Sequence, residues 1–285
     1  MERSLRALLV AAGGLALILS AGFFVRAPWA TVFWPWPDSR LSYIFVASIL
    51  AAIAAPVLWI GLAGDLRATE AGALNLGLTW AGAAASLFLM ATGGAGEPRL
   101  LAYAAGYAAL TPAAVASYFM SRRLPLRDSR PMPGPVRVSF GLFAATLLVV
   151  GAALLLRAPH IFPWALRPES SVLFGWIYLG AAVYFVHGVL HPSWQNACGQ
   201  LLGFLAYDLV LIGPFLAHFG SVPAEHLPSL VVYTSVLLFS GALASYYLFV
   251  NRTTRLWRGS RRPDRAAPIA DRAALRQAGR ETPGR

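Results

Sequence analysis

Apolar residues run along this chain in continuous stretches, without the period-two alternation of a half-buried strand. Residues 142–156 are interrupted only by Thr146 and Gly151. At about 1.5 Å per helical residue, roughly 20 residues span a ~30 Å hydrocarbon layer. Eight stretches of that order are readable, over 7–25, 41–63, 72–93, 100–120, 138–156, 171–190, 197–219 and 228–250. Turn-forming sequences separate them, such as Gly64-Asp65-Leu66-Arg67 and Pro192-Ser193-Trp194. The pattern predicts an all-α polytopic membrane bundle of eight transmembrane helices. A transmembrane β-barrel would need alternation over about ten residues per strand, which the chain lacks.

Composition agrees. The 285 residues are 58% hydrophobic and only 12% charged, against about 25% charged in soluble domains. The lipid bilayer is therefore the expected partner. All 23 basic residues are arginine, and the net charge is +11. In a soluble chain that charge would point to nucleic acid. Here loop orientation accounts for it, and no nucleic-acid partner is expected. With the N-terminus inside, eighteen arginines fall on the inner side; Arg26, Arg40, Arg99, Arg157 and Arg167 fall outside. The positive-inside bias then places both termini in the cytoplasm of a bacterial-type inner membrane. The tail 251–285, rich in Arg, Ala and Pro, is expected to be disordered and to lie on anionic lipid headgroups. The lone Cys198 excludes an intrachain disulfide framework.

An internal repeat organises the spans. Arg26-Ala27-Pro28 recurs as Arg157-Ala158-Pro159, and Pro37-Asp38-Ser39 as Pro168-Glu169-Ser170, both at an offset of 131 residues. The same offset carries the first span onto the fifth and the second onto the sixth. The expectation is two parallel four-helix repeats, 1–120 and 138–250, joined by an Arg-rich cytoplasmic linker at 121–137 and followed by the tail. An even number of spans per unit keeps both copies in one direction. The repeated loop has a structural reading: arginine at the interface, proline stopping one helix, Asp38-Ser39 or Glu169-Ser170 capping the next, and tryptophans at headgroup level. It also has a functional one, a paired periplasmic platform offering Arg26 and Arg157 to an anionic group.

The stretch Trp34-Pro35-Trp36-Pro37-Asp38-Ser39-Arg40-Leu41 resembles the tryptophan-rich segment of haem-handling membrane proteins of cytochrome c maturation. That family implies haem-ligating histidines on flanking helices, and residues 1–137 contain no histidine. No haem role is carried over, and no cofactor is expected.

Candidate chemistry is confined to a few polar residues within spans. Asp208 is the acidic residue deepest in a span, roughly 16 Å in at helical rise. A carboxyl there must be paired, hydrated or neutral. Tyr178 and Ser240 lie at similar depth, roughly 18 and 15 Å, and are the expected partners. His187 and His191 share a helix face at i, i+4, as metal ligands do, but a site needs three or four ligands and no further cluster is evident on that side. No nucleotide loop, His-Glu-x-x-His or catalytic triad pattern occurs. The expected function is permease-like, for a small solute or proton. Two alternatives remain open: an assembly subunit docking a partner through its Trp-rich loops, and a membrane-embedded enzyme.

The topology predicts that Glu97→Cys is labelled by an impermeant thiol reagent on intact cells and that Pro131→Cys is not. Labelling of Pro131→Cys from outside overturns the orientation.

Overall fold

A computed structural model describes residues 2–93 and 97–256. The tail beyond 256 lies outside the described residues, and so does the expectation placed on it. Among the described residues, eight helices are long and apolar enough to cross a membrane. They are α1 (Glu2–Phe24), α2 (Arg40–Ala63), α3 (Thr69–Thr92), α4 (Pro98–Arg122), α5 (Gly134–Leu155), α6 (Pro168–Leu190), α7 (Trp194–His218) and α8 (Leu227–Ser245). A 3-10 turn, Leu66–Ala68, leads into α3; another, Ala224–His226, leads into α8, which ends in a π-helical turn, Tyr246–Val250. The described residues are all-helical, with the build of a multi-pass membrane protein.

Consecutive helices pack as hairpins: α1 with α2, α3 with α4, α5 with α6, and α7 with α8. Two further pairings, α2 with α7 and α3 with α6, join the hairpins. Helices α2 and α6 are the most enclosed, with 56% of the span buried in each against 17–28% in the others. Small residues set these approaches, as they do where lipid-like surfaces give no hydrophobic drive. A Cβ on Gly180 would fall 2.1 Å from Thr79 Oγ1, and one on Gly82 would fall 2.0 Å from the Trp176 ring. Between these glycines, Trp176 Nε1 donates to Ser86 Oγ at 2.8 Å and Thr79 Oγ1 donates to the Trp176 carbonyl at 3.3 Å. In the α5–α6 hairpin, Gly151 and Gly175 let the two backbones meet.

Polar groups gather at two opposite ends. At one, Arg67 donates to the carbonyls of Arg122 and Leu124, Gln195 accepts from the Arg127 amide, and Arg127 pairs with Glu2 at 2.6 Å. This is the arginine-rich end. At the other lie the tryptophan-rich loops, 25–39 and 156–167.

The repeated Arg-Ala-Pro forms the same cap twice. After α1, the Arg26 amide donates to Phe23 O (3.1 Å) and the Ala27 amide to Gly22 O (2.8 Å). After α5, the Arg157 amide donates to Leu154 O (3.0 Å) and the Ala158 amide to Ala153 O (2.9 Å). Both are Schellman caps, in which the residue after the helix turns left-handed and two terminal carbonyls find donors. Glycine normally fills that position; here it is Arg26 at φ +58° and Arg157 at φ +57°. The proline that follows cannot continue a helix.

Beyond the cap the two loops diverge, and one expectation is corrected. Ser39 caps α2, accepting from the Ser42 amide. Ser170 does not cap α6: that helix starts two residues earlier at Pro168, whose missing amide needs no partner. Ser170 instead reaches across to the other loop, donating to Asp38 Oδ2 at 2.5 Å. Glu169 pairs with Arg167 at 3.6 Å. Pro28 opens a one-turn helix, Pro28–Thr31, whereas Pro159 sits in a turn.

Left-handed backbone costs a non-glycine residue about 1–2 kcal/mol, and glycine returns part of that as unfolded-chain entropy. Arg157→Gly is therefore expected to stabilise the protein by about 0.5–1 kcal/mol in detergent thermal unfolding. Arg157→Val, which adds a β-branch at positive φ, should destabilise it. A loss of stability with glycine would show that the arginine side chain matters more than the backbone.

Candidate functional site

A cavity of about 230 Å³ lies between the helices, lined from α2, α3, α5, α6, α7 and α8. Its walls are mainly aliphatic and aromatic, with Ile53, Leu147, Phe204 and Val236 among them. Uncharged polar groups interrupt them: Asn75, Thr79, Thr146, Gln200, Ser240 and the tyrosines 178, 184, 207 and 233. Most have partners already. Thr79 Oγ1 lies 3.3 Å from Asn75 Oδ1, and the hydroxyls of Tyr178 and Tyr233 are 2.6 Å apart. Gln200 donates to the Tyr184 carbonyl, while its Oε1 has no partner among the described residues.

Aromatic rings from both loops and four helices gather at the tryptophan-rich end and touch the cavity-lining tyrosines 178, 207 and 233. Phe45, fully buried, touches Phe162 (centroids 4.9 Å apart) and Phe174 (5.0 Å). Trp34 stacks on Phe174 at 5.2 Å, and Trp164 lies 4.7 Å from Phe162. Neighbouring helices hold the loops in place. Trp164 Nε1 donates to Ser42 Oγ (2.9 Å), and the carbonyls of Pro163 and Phe162 meet the rings of His218 and His226 (both 2.9 Å). Tyr103 donates to the Val32 and Trp34 carbonyls. Trp34 and Trp164 are buried within the protein and do not present their rings outward. The Trp164 indole has its partner in Ser42, whereas Trp34 Nε1 has none among the described residues. Trp29 does remain exposed. Of the two repeated arginines, Arg26 lies over the Tyr43 ring at 5.7 Å. The structure does not bring Arg26 and Arg157 together through any shared partner among the described residues.

Asp208 is 5% exposed and stands directly behind the cavity wall. Ser240 Oγ from α8 lies 3.0 and 2.9 Å from its two carboxyl oxygens, and 2.8 Å from the Val236 carbonyl. A serine hydroxyl has one proton to give. The network closes when the carboxyl is neutral: Asp208 donates to Ser240 and Ser240 donates to Val236. Gly241 leaves room for the carboxyl, since a Cβ there would lie 3.3 Å from Oδ2. Tyr178, the other expected partner, pairs with Tyr233 instead.

One acid that the sequence did not place beside His187 does lie there. Glu70 lies 3.4 Å from His187 Nε2. It escaped notice because α3 starts three residues before the expected span, so Glu70 is inside the bundle and 5% exposed. Two guanidiniums neutralise it, Arg67 at 3.4 Å and Arg122 at 3.5 Å. His191 stacks on His187, with centroids 4.3 Å apart. Among the described residues no group of three or more His, Cys, Asp or Glu side chains is arranged to hold a metal. The same end holds Asp65, whose carboxyl is raised above its usual range by burial, with Arg127 opposing and Asp128 adding to the shift. Hydrogen bonding to Asp128 raises Arg130 in turn.

Sequence reasoning missed Glu70, Gln200 and the tyrosines at 207 and 233. Only Glu70 left a signal, an acid three residues after Arg67 at a span boundary. No protein family, curated protein or solved structure matches the chain. What the fold defines is the class: a multi-pass helical membrane protein.

Ser240→Ala removes the hydrogen bond to a buried carboxyl and should lower stability by about 1–3 kcal/mol in detergent unfolding. Combining it with Asp208→Leu should recover most of that loss, because no polar group is then left unpartnered. An unchanged melting temperature in Ser240→Ala would remove this bond from the forces joining α7 to α8.

Proposed function

We propose that the protein is permease-like, binding a small neutral solute in the central cavity and passing it between two parallel four-helix repeats. The observation that carries this reading is the cavity itself, bounded by helices of both halves. Its walls hold hydrogen-bonding groups but no charged side chain, which favours a neutral, largely apolar solute, since an unpaired charge in such surroundings is costly. In this reading the aromatic cluster is the plug that closes one end, as alternating access requires of one side at a time.

Three features support the repeat. The offset of 131 residues carries the α2–α7 pairing onto the α6–α3 pairing, and both are present. It carries one arginine Schellman cap onto the other. It also keeps the two tryptophan-rich loops at one end. The arginine excess at the other end supports a cytoplasmic location for both termini in an inner membrane, with the tail on anionic lipid. In this reading Asp208 with Ser240 is a neutral hydrogen-bonded bolt between α7 and α8, and Tyr178 with Tyr233 frames the plug. The assembly-subunit alternative is weakened, because Trp34 and Trp164 are consumed within the bundle and do not face a partner.

Ala181 lines the cavity and offers the test. Purification of the full chain in mild detergent, followed by mass spectrometry of extracted small molecules, should recover a neutral solute from the wild type. Ala181→Trp, which fills the cavity, should fold and lose it at least about tenfold, the effect of ~1.4 kcal/mol of lost binding. Equal recovery from a folded Ala181→Trp protein would show that the solute lies elsewhere.

A further inference from the structure

We propose that a second pocket, at the arginine-rich end, binds a phosphate- or carboxylate-type oxyanion. The pocket has a volume of about 370 Å³ and is lined by Arg67, Glu70, Ser129, His187, His191 and the first residues of α7. This inference stands apart from the permease reading and uses none of the central cavity.

Three independent features converge on an anion. The first is the helix end. α7 is 25 residues long and begins at the pocket, where Ser193 and Asn196 form part of the wall. Its Trp194 and Asn196 amides already donate to the Arg130 carbonyl and Ser193 Oγ, so what this end offers an anion is the partial positive charge of the helix dipole. The second is charge. The pocket's one acid, Glu70, faces two guanidiniums, Arg67 and Arg122, so the immediate surroundings keep a net positive charge. The same two arginines disfavour a metal cation between Glu70 and the histidines. The third is His187. It is 6% exposed; its Nε2 meets Glu70 at 3.4 Å, while its Nδ1 has no partner among the described residues. A buried polar group without a partner is destabilising by about 1–3 kcal/mol. An oxyanion accepting from the ring would remove that penalty. His191 presents a second ring from the same helix face, with its Nδ1 committed to the His187 carbonyl at 3.2 Å.

The pocket opens where a bundle of this kind meets headgroups and water. The oxyanion could then be a soluble anion or the phosphate of a lipid headgroup, and the two share one recognition chemistry.

The test uses the full chain with isotope-labelled histidine rings, the His187 signals being assigned by their loss in His187→Leu. In a phosphate-free maltoside detergent, inorganic phosphate is titrated at constant ionic strength. In parallel, the protein is placed in nanodiscs of phosphatidylcholine with or without phosphatidylglycerol. Saturable movement of the His187 signals with inorganic phosphate, with a rise in melting temperature, supports a soluble oxyanion. Movement of these signals on transfer from phosphate-free maltoside to nanodiscs, but not with inorganic phosphate, supports a lipid phosphate, and phosphatidylglycerol tests whether a net anionic headgroup is needed. His187→Leu without ligand should melt no lower than the wild type, since it removes an unpartnered group. Its phosphate stabilisation should require about tenfold more anion, the loss of one charge-assisted hydrogen bond. His191→Gln should weaken the response in the same direction. Absence of any response in both arms overturns the proposal. So does a phosphate effect undiminished in both variants, which would mean an adventitious ion only.

Discussion

In an apolar layer, each backbone carbonyl outside a helix needs a donor supplied by the protein, because no water is there to provide one. The two tryptophan-rich loops meet this constraint with side chains from distant helices. His218, His226 and Ser229 serve the carbonyls of Pro163, Phe162 and His160, and Tyr103 serves Val32 and Trp34. Because those carbonyls are satisfied, irregular chain can lie inside the bundle and carry Trp34, Phe162 and Trp164 into its core. The aromatic cluster beside the cavity follows from that.

The loops are also tied to each other and to α2. Ser170 of the second loop donates to Asp38 of the first, and Trp164 donates to Ser42 at the start of α2. Deeper in, the α3–α6 contact is set by Gly82 and Gly180, whose missing side chains admit Trp176 and the Asn75–Thr79 pair. Large rings and bare backbone alternate across the interface. The cavity occupies the part where neither kind of contact fills the space.

At the opposite end the same physics works through charge. The chain has arginine and no lysine, and the guanidinium suits multiple carbonyl and carboxylate contacts at once. Arg67 uses this fully, bonding two carbonyls and flanking Glu70. Glu70 can then be buried within α3, and the two arginines beside it leave the pocket positive.

The number of helices and their approximate limits were legible in the sequence, because a run of apolar residues long enough to cross the layer has one stable conformation there. The Arg-Ala-Pro repeat was legible as well, although its meaning as a left-handed helix cap needed the backbone angles at Arg26 and Arg157. A hydrogen bond between Asp208 and Ser240 could be anticipated, since helical rise places both at one depth. Depth carries no information about rotation, and so Tyr178, equally deep, was assigned to Asp208 when it faces Tyr233. The Glu70–His187 contact, the inward turn of Trp34 and Trp164, and the cavity were likewise beyond reach. Each depends on which faces of α3, α6 and α7 meet. In lipid those faces are chosen by close packing of small residues and by matching polar partners, because hydrophobic residues are at home on every side of a helix. The sequence by itself therefore determined the spans and the repeated motif between them, and the tertiary structure decided the caps and what faces what.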